Sequence, residues 1–387
     1  MQCRNVRASG REPDPVVLNA DQVRASRMRL SDFDYDLPPD RIAQYPVSPR
    51  DAARLMVVAS MGPGGEICGE DRTVTDLPGL LRPGDLLVLN DTKVFPARLV
   101  GRKESGGRIE VLLLGRMASG GERQETWRAL LGASRAPVPG QRIQLPEGLT
   151  ATVIEPPREG GAVLSLESGV SVTEAIERGG EVPLPPYIHR QFGPGVEDRE
   201  RYQTVYARES GAAAAATAGL HFTRELLDRL DACGVRRAHL TLHIGLGTFQ
   251  PLRGGPLPDR LHPEFYKLPA ETVAAVRETR RAAGRVVAVG TTVVRALEFA
   301  CRHAELMSGE GWCDLFIRPG FAFRQTDLML TNFHLPRSSL LVLVSAFAGR
   351  DRILACYREA IRRGYRFYSY GDAMLLERSS SGPAGGV

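Results

Sequence analysis

Leu315-Phe316-Ile317-Arg318-Pro319-Gly320-Phe321 leads to Thr331-Asn332-Phe333-His334-Leu335-Pro336-Arg337-Ser338-Ser339, and then an apolar run extends from Leu340 to Phe347 before Gly349. Groups that donate, accept or carry a proton stand here on a turn between two segments too apolar for the surface. Pro336 removes a backbone donor and drives Leu335 towards an extended conformation. Ser338 is placed to cap a helix that stops at Gly349, and a helix apolar on every side must be buried on every side. His334 and Asn332 are therefore expected to be held by rigid neighbours, as a reactive group or a satisfied core histidine would be.

Outward from this stretch, the same pattern of buried strand followed by polar turn recurs. Val286–Val289 ends in Gly290-Thr291-Thr292, where a helix begins, with Arg295 one turn in. The two threonines serve either as plain caps or beside free amides that hold an anionic group. Arg237–Ile244 reads as a strand with His239, Thr241 and His243 on one face. Two histidines without a third ligand at fixed spacing do not make a zinc site, so no metal is expected. Ala212–Ala216 leads to Thr217-Ala218-Gly219-Leu220-His221-Phe222-Thr223, and Thr223 is placed to cap a helix ending at Gly234. His262-Pro263-Glu264-Phe265-Tyr266 sets a carboxylate near a histidine, and Asn90-Asp91-Thr92-Lys93 follows the buried Leu86–Leu89. Asp351 is expected to cap the helix that stops at Gly364, and Tyr365–Met374 to form a last strand and turn.

Between residues 62 and 168 the texture differs. Short β-branched runs such as Leu86–Leu89, Ile109–Leu114, Thr126–Leu131 and Thr150–Ile154 are separated by Gly, Pro and Asp, which predicts a small antiparallel barrel. The fold class is thus α/β: a mixed-sheet α/β domain, discontinuous over 28–61 and 169–377, with an inserted small all-β barrel domain over 62–168. Residues 1–27 and 378–387 are expected to be disordered extensions.

Composition narrows the class. The chain has 387 residues, 43% hydrophobic and 25% charged, which suits a globular protein of two or three domains. No apolar run is long enough to span a bilayer and no secretory signal is evident, so a cytoplasmic site of action is expected. Six cysteines without a CxxC pair argue against a disulfide framework or a zinc knuckle. The formal charge of +5 permits nucleic-acid binding without demanding it. Only three of the 50 basic residues are lysines (Lys93, Lys103, Lys267), a bias that a GC-rich genome explains.

Taken together, Asn90–Val94, Leu184–Ile188, Thr217–Thr223, Leu242–Phe249, His262–Tyr266, Gly290–Glu298, Leu330–Gly349 and Ser369–Met374 resemble the S-adenosylmethionine (AdoMet):tRNA ribosyltransferase-isomerases of queuosine biosynthesis. The likeness runs in order from Met28 to about Leu376, and many separate blocks are far more specific than one motif. The resemblance implies transfer and isomerisation of the AdoMet ribosyl group onto 7-aminomethyl-7-deazaguanine at the tRNA wobble position. Epoxyqueuosine would form and adenine and methionine leave. It also implies a monomer, with AdoMet consumed as substrate rather than held as a cofactor. One departure is that Ala212–Ala216 stands where the family usually has Ser-Val-Ala-Ala-Pro.

That reaction needs a base beside the sulfonium carbon, help for the departing adenine, and a hold on anionic groups. The candidates are His221, His243, His334, Glu264 and Asp91, with His243 or His334 handling protons and Glu264 or Asp91 orienting it. Thr291, Thr292 and Arg295 are expected to hold a carboxylate or phosphate, and Asn332, Thr217 and Gly219 to contact substrate. Phe249, Tyr266 and Phe333 are candidates for stacking on a splayed base. A non-catalytic RNA-binding protein is the rival reading. An AdoMet methyltransferase is disfavoured, because Gly245-Leu246-Gly247 lacks the helix pattern that fold requires.

Overall fold

The computed structural model describes residues 28–58, 69–158, 160–191, 193–245 and 255–379. The expectations for residues 1–27, for Leu246–Phe249 and for most of the C-terminal tail lie outside these residues. Nine strands form one mixed sheet in the order Gly309–Leu315, Arg260–Leu268, Arg236–Leu242, Leu86–Asn90, Val286–Val289, Leu328–Asn332, Ala373–Glu377, Arg54–Val58, Gly69–Thr73. The four from Arg236–Leu242 to Leu328–Asn332 are mutually parallel. Three of these, Leu86–Asn90, Val286–Val289 and Leu328–Asn332, are buried at every residue. Such continuous apolar strands need cover on both faces. Helices Ala270–Arg281, Thr291–Ala300, Ser339–Ala348 and Arg350–Arg362 pack into one core, and Arg224–Ala232 into the core on the opposite face.

The apolar helix forms as its sequence requires. The Ser338 hydroxyl accepts from the Leu341 amide at 3.2 Å, and Gly349 ends it at φ 92°. The next helix begins two residues earlier than a cap at Asp351 predicts, at Arg350 after the cap Gly349, so Asp351 lies in its first turn. The last strand likewise starts only at Ala373, and Tyr365–Asp372 is turn.

Six further strands close an antiparallel barrel in the order Gly161–Glu167, Gln124–Gly132, Arg108–Ser119, Arg98–Lys103, Arg142–Gln144, Thr150–Arg158. Leu99, Ile109, Val111, Ala151 and Leu164 fill its interior, and Val172 and Ile176 of helix Val172–Gly179 join that core. The expectation for Leu86–Leu89 is corrected here. It lies within the 62–168 segment but is a central strand of the large sheet, pairing in parallel with Arg236–Leu242 and Val286–Val289. Its all-apolar pattern suits a sheet covered on both faces, whereas the barrel strands alternate. Among the described residues no helix is long and apolar enough to cross a membrane.

Candidate functional site

In an open parallel sheet, ligands gather at the carboxyl ends of the strands. Four parallel strands here deliver the polar turns of the sequence to that one edge. They end at Leu242, Asn90, Val289 and Asn332, and His243, Asp91-Thr92, Gly290-Thr291-Thr292 and His334 follow.

Asn90 ties three of these ends together. Its amide donates to the Leu242 carbonyl at 2.9 Å and to the Thr292 hydroxyl at 3.2 Å, and its oxygen accepts from the Leu242 and Thr92 amides. Thr92 in turn holds His243, with Oγ1 2.8 Å from Nδ1. The His243 ring stacks on Phe265, centroids 5.7 Å apart and planes 21° from parallel. Its Nε2 faces Gly211, where a Cβ would lie 2.7 Å from that nitrogen and where φ is +153°. A side chain at 211 would occupy the approach to Nε2. Burial lowers the His243 pKa below its ordinary value, while Glu209 and Asp91 pull it upwards. The imidazole is therefore neutral near pH 7 and able to accept a proton.

A second group centres on Asn332. The Thr217 hydroxyl donates to its oxygen at 2.9 Å, and its amide donates to the Tyr368 carbonyl and to Nε2 of His221 at 3.1 Å. His221 is 4% exposed, and burial pushes its pKa down to about 4. It is a neutral hydrogen-bond acceptor here. Gly219 belongs to the same turn, because a Cβ there would lie 2.0 Å from the Tyr206 hydroxyl.

Other expected members are placed elsewhere. Glu264 and Arg295 form an ion pair with each other, both 6% exposed. The remaining Glu264 oxygen accepts from the Gly245 amide at 3.1 Å, and the guanidinium also donates to the Leu315 and Cys313 carbonyls. Each nitrogen of this buried guanidinium already has a partner within the fold, so the group serves the structure rather than being presented to a substrate phosphate or carboxylate. Glu264 makes no hydrogen bond to any histidine, so it fixes the chain at Gly245 rather than orienting His243. Asp91 accepts from Thr241 at 2.7 Å and pairs with Arg208 at 2.8 Å, and it acts on His243 through its charge alone. His334 is buried, its Nε2 is 3.0 Å from Thr331 Oγ1, and its main chain is clasped by the hydroxyls of Tyr35 and Tyr357. Burial, with no charged neighbour, pushes its pKa down to about 3. Thr291 is buried at the start of its helix and Thr292 is half-buried there. Tyr266 and Phe333 are core residues at 7% and 0% exposure, not stacking surfaces. Thr92 and Asn90 were not among the expected site residues; the signal was their place directly after a buried strand.

The chain matches a protein-family model described as "Queuosine biosynthesis protein" over residues 30–376. The chain belongs to this family. It is 53% identical over 354 residues to a protein of Anaeromyxobacter sp. (strain Fw109-5), covering 91% of this chain and all of that one. It is 52% identical to a protein of Symbiobacterium thermophilum, covering 90% and 100%. Both relatives are named S-adenosylmethionine:tRNA ribosyltransferase-isomerase. A crystal structure of S-adenosylmethionine tRNA ribosyltransferase from Thermotoga maritima is 39% identical, with a TM-score of 0.51, over 89% of this chain and 99% of that one.

Proposed function

We propose that this chain transfers and isomerises the ribosyl group of AdoMet onto 7-aminomethyl-7-deazaguanine at the tRNA wobble position, giving epoxyqueuosine, adenine and methionine. The family and the relatives' names support an AdoMet-dependent ribosyl transfer to tRNA. The observation that carries the reading is the half-buried neutral His243, held by Thr92 at the carboxyl edge of the sheet with Nε2 against a glycine.

In this account His243 is the base. A carbon beside a positive sulfonium is acidic, and a neutral imidazole accepts its proton near neutral pH. Thr92 accepts from Nδ1–H, which leaves the Nε2 lone pair free. The Asn332–Thr217–His221 group, fixed and uncharged, positions substrate rather than carrying a proton. The first amides of the helix at Thr291 and Thr292 take an anionic group of the substrate, favoured by the helix dipole. AdoMet is consumed and no resident cofactor takes part. The protein acts as a cytoplasmic monomer.

The test is mass analysis of precursor-bearing tRNA after incubation with AdoMet, with adenine release followed in parallel. Formation of the epoxycyclopentanediol adduct with one adenine per adduct is expected. Tight tRNA binding without adenine release would favour the rival, a non-catalytic RNA-binding protein.

A further inference from the structure

The His243 ring does not end the aromatic contact at the site. Phe265, on which it stacks, meets Trp312 edge-on across the neighbouring strand, with centroids 5.9 Å apart and planes at 76°. Phe265 is half-buried, but Trp312 is 66% exposed on the outermost strand of the sheet. His243, Phe265 and Trp312 thus form a continuous row from the candidate base to solvent. A single exposed apolar side chain needs no explanation, whereas an exposed indole joined through a second ring to a candidate base is a contiguous surface. Beside it stands Lys267, two residues from Phe265 and so on the same face of the strand. Its side chain is exposed and forms no ion pair among the described residues, with Glu310 opposite it in the strand register.

We infer that Phe265 and Trp312 are a stacking platform for a nucleobase next to the modified one in the anticodon loop, with Lys267 against the adjoining phosphate. This rests on the reading that tRNA is the substrate. The platform suits a splayed single strand: every base offers a π-face to an aromatic ring, and a flexible free cation suits the backbone that links the bases. Continuity with His243 sets the register, since a base on Trp312 places its neighbour towards the imidazole.

The protein has two tryptophans, so Trp127→Phe leaves Trp312 as the sole indole reporter. It is titrated with an unmodified anticodon stem-loop RNA while binding is followed by anisotropy of a labelled RNA. Quenching of Trp312 in step with binding is expected, and AdoMet alone should leave the emission unchanged. Trp312→Ala should weaken RNA binding about five- to 150-fold, and Trp312→Phe should restore most of it. Should Trp127→Phe fold poorly, fluorine NMR of 5-fluorotryptophan-labelled wild-type protein gives the same readout. RNA bound at saturation with unaltered Trp312 emission, or affinity within twofold in Trp312→Ala, would overturn the platform. So would a change that follows protein concentration and dimer formation instead of RNA. Adenine release is scored separately, with precursor-bearing tRNA and AdoMet: quenching without turnover of that tRNA leaves the platform standing and removes the proposed reaction, and turnover without quenching does the reverse.

Discussion

Replacing Thr92 with valine removes one hydrogen bond and almost nothing else. The residue is 1% exposed and its hydroxyl is 2.8 Å from His243 Nδ1, so the isosteric swap leaves packing intact. No other partner of Nδ1 is present among the described residues. Leaving such a group unsatisfied costs about 1–3 kcal/mol when buried, and His243 is only half-buried, so about 1–2 kcal/mol is the fitting range. Part of that cost is escaped by changing tautomer or turning the ring, and both remove the Nε2 lone pair from its working position. The prediction is a five- to thirtyfold fall in the single-turnover rate of adenine release. The KM for AdoMet should change little, and Thr92→Ser should recover most of the loss. The pH profile adds an independent check. Because burial holds the His243 pKa below 6.5, the rate should rise with pH through a value below 6.5 and then level off. The carboxylate of Glu209 raises that pKa, so Glu209→Gln should move the acidic limb to lower pH. Thr92→Val protein that is folded by circular dichroism and reacts at the wild-type rate across this range would refute the reasoning.

Glu264→Ala leaves the Arg295 guanidinium buried and unpaired, and should destabilise the fold by about 3–5 kcal/mol in urea titration. Glu264→Leu combined with Arg295→Met should be clearly less destabilised; a double variant no better than the single would contradict a purely structural pair. His334 is buried neutral with a pKa of about 3, against about 6.5 in the unfolded chain. Its contribution is whole above pH 6.5 and is lost as pH falls towards 3, at about 1.4 kcal/mol per pH unit, because only the unfolded state takes the proton. His334→Gln should therefore flatten the pH dependence of stability between pH 6.5 and 4, and identical slopes would exclude this. Ala216 has φ −72°, which proline can adopt, and its amide has no acceptor among the described residues. Ala216→Pro should stabilise the protein by about 0.4–1 kcal/mol, seen as a higher urea midpoint at unchanged slope.

Local chemistry made much of this molecule legible. The Ser338-capped helix, the Val286–Val289 strand and the Thr223-capped helix follow from caps, glycine stops and apolar period within a dozen residues. The strand expected over Arg237–Ile244 is present as Arg236–Leu242, and it stops one residue short of His243. What could not be read depends on partners distant in the chain. Leu86–Asn90 stands next to the barrel strands in sequence, and its place in the large sheet is fixed by pairing with Arg236–Leu242 and Val286–Val289, far along the chain. Arg295 reads as a free cation at a helix start, because its carboxylate partner lies 31 residues away on strand Arg260–Leu268. Of the aromatic candidates, Tyr266 and Phe333 proved to be core, whereas Phe265 and Trp312 became neighbours only through a cross-strand register.

The central claim is that proton transfer belongs to the His243 corner of the sheet edge and not to the buried histidine after Asn332. Single-turnover adenine release should be compared for His243→Ala and His334→Ala, each at a temperature where it is shown to be folded. The account predicts a fall of about 10²- to 10⁴-fold for His243→Ala and a rate near wild type for folded His334→Ala. A wild-type rate in His243→Ala would contradict it.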